Sequence, residues 1–217
     1  MPAIPVYLEI GEKRVFASAL DWPGWTRSAG NEQRALETLA AYAPRYASVP
    51  KAARIEFAIG AKPSFNVVER VKGNATTDFG APGIHASGDT RPLSPSEAER
   101  ITALLAASWK VFDAAVAKAP AELRKGPRGG GRDRDKIADH VIDAESAYTA
   151  KLGLKLKTPS RHDKAAVQAT RKAILDAIGA SAGGPQTGEK RWPPRYVARR
   201  MAWHLLDHAW EIEDRSA

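Results

Sequence analysis

The chain of 217 residues contains no cysteine. Disulfides, thiolate metal ligands, iron–sulfur clusters and a cysteine nucleophile are therefore excluded, and any thiol in its chemistry must come from outside. No stretch approaches the roughly 20 apolar residues that span a bilayer, which argues against a membrane partner. The opening Met-Pro-Ala-Ile-Pro lacks the basic segment and apolar run of a secretory signal, so the expected compartment is the cytoplasm. Low-complexity sequence is confined to Gly126–Arg132, which lacks the Gly-Lys-Ser/Thr ending of a phosphate-binding loop and reads as an interhelix connection.

What is present is an ordinary globular balance, 43% hydrophobic and 27% charged residues, long enough to bury a sizeable core. The net charge is +8, and it is uneven. Residues 1–90 carry 10 Lys and Arg against 9 Asp and Glu, whereas the rest carry 23 against 16. A basic half fits nucleic acid, an acidic surface, an anionic substrate or simply an arginine-rich exterior. Asp133 and Asp135 interrupt the Arg124–Lys136 cluster, and no nucleic-acid motif accompanies it, so nucleic acid is not the expected partner. A small-molecule substrate is. Self-association is left open, and with it a homo-oligomer.

The pattern changes near residue 85. Before it, Val6–Ile10 and Val15–Leu20 read as strands around a Gly-Glu-Lys turn, Glu32–Ala43 as a helix, and Arg54–Ile59 and Phe65–Val71 as further strands. Gly80–Pro92 is rich in turn residues. Beyond it, Ser94-Pro95-Ser96-Glu97 combines a serine cap, a first-turn proline and a glutamate three residues on, a strong helix start. Three more helical patterns follow, over Asp133–Leu152, Ser160–Ile178 (stopping at Gly179) and Pro193–Asp214. The expected fold class is α+β: a small α+β domain over 1–85, a linker over 86–93, and a four-helix bundle over 94–217.

Chemistry concentrates in the histidines. His204 and His208 lie four apart on one helix, about 40° apart around its axis and one turn above one another. His140 falls between Ile137 and Val141 on the inward stripe of the second helix. Three imidazoles aimed at one core need partners, and a divalent cation satisfies all three; the alternative is a separate carboxylate or carbonyl for each. Three neutral imidazoles without a thiolate suit Zn, Ni or Fe, and leave a coordination position for water or a substrate thiol. Glu211 and Asp143 are candidates for a fourth ligand or an outer acceptor of an imidazole N–H, Asp207 for an outer-shell or salt-bridge group, and Tyr148 and Arg200 for contact with an anionic substrate. His85 and His162 read as solvated or capping residues.

Asp139-His140-Val141-Ile142-Asp143-Ala144-Glu145 and Trp203-His204-Leu205-Leu206-Asp207-His208-Ala209-Trp210-Glu211-Ile212, on helices in this order, resemble the DinB/YfiT-like superfamily of metal-binding four-helix bundles over about residues 94–217. The resemblance implies a divalent metal on His140, His204 and His208, and an activity of the thiol-transferase or hydrolase kind with a low-molecular-weight thiol as cosubstrate. A non-catalytic metal or small-ligand sensor and a nucleic-acid-binding regulatory module are the alternatives. The first 85 residues resemble HicB-like domains more weakly, through Ala19-Leu20-Asp21-Trp22-Pro23-Gly24-Trp25 and the helix after it. That likeness implies only an α+β shape.

Overall fold

The structure, a computed structural model, describes residues 3–60, 63–126, 130–183 and 191–216. Of the Gly-rich stretch 126–132, residues 127–129 lie outside the described residues. The fold is α+β. Strands β1 (Ile4–Ile10) and β2 (Val15–Ala19) form an antiparallel hairpin, with Val6 opposite Ala19 and Ile10 opposite Val15. The chain then turns at Gly24, whose φ of +92° and whose approach to the last helix leave no room for a side chain: a Cβ there would meet Leu206 at 2.6 Å. A short strand that the sequence pattern does not announce, β3 (Thr26–Ala29), pairs with β2.

Helix α1 (Glu32–Ala41) starts where the Asn31 side chain accepts from the Arg34 N–H, and it buries Ala35 and Leu39 against the sheet. Short helices α2 (Ala43–Tyr46) and α3 (Ser48–Ala53) complete the crossover to β4 (Phe65–Lys72), which runs parallel to β1. The sheet order is β3-β2-β1-β4. The strand expected over Arg54–Ile59 is not formed. Arg54 ends α3 in the left-handed region at φ 58°, and the residues after it find no ladder partner. Their alternating apolar side chains pack sideways instead: Phe57 lies 4.7 Å from the Trp22 ring and 5.5 Å from those of Trp25 and Tyr46.

After α4 (Ala75–Phe79) the chain reaches the stretch expected as a linker. It is packed, not free. Ala86, Asp89 and Leu93 are fully buried, and a 3-10 turn at Ser87–Thr90 is ion-paired to the last helix through Asp89 and Arg199. Four long helices follow: α5 (Pro95–Lys118), α6 (Arg134–Lys151), α7 (Lys164–Ala180) and α8 (Pro194–Ser216). The Ser94 side chain caps α5 and Glu97 returns the bond, as its sequence requires. Helix α7 starts later than expected, at an Asp163 cap, and continues through Gly179, which the packing of Ile174 and Ile178 outweighs.

Helix α8 organises the interior. One apolar cluster joins its Val197, Met201, Leu205 and Ile212 to α5, α6 and α7. A second joins its Leu206 and Trp210, with Leu104 and Ala107 of α5, to the sheet residues Val6, Leu8 and Ala17 and to Trp25 just before β3. Packed on both sides, α8 buries most of its length and exposes Glu213 and Asp214 only near its end. Among the described residues no helix is long and apolar enough to cross a membrane.

Candidate metal centre

Helix α8 carries Arg200, His204, His208, Glu211 and Arg215 at intervals of three and four residues, a polar stripe along one face. Opposite it, α6 presents His140. The donor nitrogens of His140, His204 and His208 all lie within 4.8 Å of one another. The rings meet edge to face, with centroids 5.0 Å apart for His140 and His204, 5.1 Å for His140 and His208, and 4.6 Å for His204 and His208.

Nε2 of His204 and Nε2 of His140 are 3.2 Å apart. Two nitrogens bound at zinc-like lengths in a tetrahedral arrangement sit about 3.3 Å apart, so this pair already has the spacing of two ligands of one ion. His208 donates Nδ1–H to the Glu211 carboxylate at 2.8 Å, which leaves Nε2 as its ligating nitrogen. Glu211 also accepts from Arg215 at 2.6 Å. The hydrogen bond from His208, and secondarily Arg215, holds the Glu211 carboxyl below its ordinary pKa and keeps it an acceptor. Burial, then the charge of His208, lowers the pKa of His140; the same causes push His204 well below the usual histidine value. Arg200 and Arg132 act on His204 in the same direction. These rings are thus held in the uncharged form that binds metal. His204 Nδ1 is buried without a hydrogen-bond partner. The donor set therefore fits a divalent cation with a preference for imidazole.

The other sequence candidates divide. Glu211 meets the Nδ1 side of His208. Asp207 does not support a histidine: it leaves the stripe and pairs with Arg27 of β3 at 2.8 Å, because position 207 faces the sheet. Asp143 is exposed on α6 and reaches His140 only through its charge. The Tyr148 ring lies 6.0 Å from that of His204, and the Arg200 guanidinium lies 4.6 Å from the Trp203 ring and 5.4 Å from Tyr148. His85 and His162 are elsewhere, the first bonding the Ala86 carbonyl at 3.0 Å. Sequence reasoning passed over Arg215 and Arg132. The four-residue interval from Glu211 would have found Arg215, but no spacing rule links the loop residue Arg132 to the helices.

Helix α6 also buries Glu145, 4% exposed, which accepts a hydrogen bond from the Trp109 indole. Burial pushes its carboxyl pKa up from 4.5 to about 7, against the attraction of Arg171. The folded state therefore binds more protons than the unfolded one between these values. Its stability contribution is full below pH 4.5 and is lost as pH rises through 7, at a cost of about 3 kcal/mol. Glu145→Gln keeps an oxygen for Trp109 and removes the charge. We expect its stability advantage over the parent, from urea unfolding, to grow by about 3 kcal/mol between pH 4.5 and pH 8. A pH-independent difference would contradict this.

Compared with protein-family models, curated proteins and solved structures, the chain finds no match.

Proposed function

We propose that the chain is a divalent-metal protein of the DinB/YfiT-like kind and that it acts as a metal-dependent enzyme, a thiol S-transferase or a hydrolase. The observation that carries this reading is the convergence of His140, His204 and His208 from two helices to within 4.8 Å. Zn, Ni or Fe is the expected ion. Bound there, it would supply Lewis acidity, lowering the pKa of a water or an external thiol at its open side.

The chain's own residues do the rest. His140, His204 and His208 offer imidazole nitrogens, Glu211 fixes the orientation of His208, and Arg215 fixes Glu211. Part of the basic stretch is spent on internal pairs, Lys125 with Asp133 and Arg134 with Asp135. Metal content of the purified protein, followed by a panel of thiol-transfer and hydrolysis reactions with and without metal, tests the proposal. Turnover that depends on metal supports it; less than about 0.2 equivalents of metal after loading rules out the site, since tight structural or catalytic ions bind near stoichiometrically. Glu211→Gln should weaken metal affinity by about 10- to 100-fold in a competition titration, the usual effect of losing an outer acceptor. An unchanged affinity would show that the His208–Glu211 bond is incidental.

A further inference from the structure

From the placement of one buried cation we infer that the three-histidine centre is built to receive the carboxylate of a small organic acid, with Arg200 as its anchor. This rests on the metal reading above and names the ligand class for it. Arg200 is 8% exposed, and its Nε and Nη1 are buried without a hydrogen-bond acceptor. A guanidinium cannot shed its charge, so burial leaves it with donors to fill. Its neighbours offer faces rather than acceptors: the Trp203 ring at 4.6 Å and the Tyr148 ring at 5.4 Å.

The charged groups around Arg200 do not meet this need. Glu9 of β1 feels its charge, but the Glu9 oxygens are taken by the Thr77 hydroxyl, by Gly83 N–H at 2.8 Å and by Ile84 N–H at 3.1 Å. Tyr196 gives its hydroxyl proton to the Pro82 carbonyl at 3.1 Å. On α8, Arg200 precedes His204 by four residues, so the two share a face about 6 Å apart along the axis. His204, with its Nδ1 also unpartnered, lies close enough to feel the Arg200 charge. An incoming carboxylate seated against the histidines would give Arg200 the acceptors that the chain withholds. Tyr148, with the Trp192 ring tilted against it at 5.8 Å, would offer an apolar wall to the rest of the acid.

The test uses the intact protein loaded with Co(II) alone, read by its visible absorption, and titrated with acetate and with the uncharged acetamide. Acetate should perturb the spectrum and acetamide should not. Arg200→Gln should still take up cobalt, because the three rings remain, yet bind acetate at least tenfold more weakly; Arg200→Lys should recover part of the loss. If acetamide matches acetate, or Arg200→Gln titrates like the parent, the carboxylate anchor is overturned while the metal centre stands. If the parent takes up no cobalt, the metal reading falls and this inference with it. Should Arg200→Gln fail to fold, the acetate and acetamide titrations of the parent decide.

Discussion

Replacing His204 with alanine is expected to abolish stoichiometric metal uptake while leaving the helical circular dichroism spectrum unchanged. The two halves of this expectation have different physical origins. His204 is the central ring: its Nε2 lies 3.2 Å from that of His140, and its ring centroid lies 4.6 Å from that of His208. Without it, His140 and His208 remain as a pair with centroids 5.1 Å apart, too few ligands for a tight site. Affinity for Co(II) or Zn(II) should fall by at least about 100-fold, beyond the range seen when only an outer partner is lost. Folding should survive, because His204 Nδ1 bonds nothing and the alanine leaves no severed hydrogen bond to the backbone. His85→Ala is the matched control, since that ring stands apart from the cluster and faces Tyr196. Equal metal uptake by His204→Ala and the parent would refute the centre, and equal loss in His85→Ala would show that the effect is not local.

The histidine cluster was legible because helical spacing is strict. Residues four apart share a face, and His140 sat among residues whose apolar period had to face inward. The start of α5 was legible for a similar reason: Ser94 and Glu97 satisfy each other's backbone neighbours, and few other sequences do so. What escaped was set by long-range packing. Strand β3 has four residues, Thr-Arg-Ser-Ala, with no apolar alternation; its place comes from pairing with β2 and from the salt bridge of Arg27 with Asp207. Ile55, Phe57 and Ile59 do alternate, yet they serve an aromatic cluster rather than a sheet, and a period of two cannot distinguish these uses. The partner of Asp207 was invisible for the same reason. Nothing local says that one side of α8 meets histidines and another meets the sheet.

The stretch expected as a linker supplies the second large effect. Asp89 is 1% exposed and takes both terminal nitrogens of Arg199, itself 5% exposed, while accepting from Ala86 N–H at 2.9 Å. Burial, the largest single influence, works to lower the Arg199 pKa, but the charge and hydrogen bonds of Asp89, together with those of Tyr7, outweigh it and the net shift is upward. The pair is therefore a closed ionic contact in a poorly solvated place, and it pins residues 87–90 to α8. Asp89→Asn removes one charge and strands the other. The expected loss of stability is about 3–5 kcal/mol, a large share of the roughly 5–15 kcal/mol that a domain has. Asp214→Asn, on an ion pair with Arg45 that is 57% exposed on the aspartate side, should cost under about 1 kcal/mol. The double variant Asp89→Asn with Arg199→Met should regain most of the loss, because no bare charge remains to be buried. Urea unfolding of the three variants measures this ordering. A loss below about 1 kcal/mol for Asp89→Asn would mean that the segment yields and lets Arg199 reach water, so that it is a tether after all and not a part of the core.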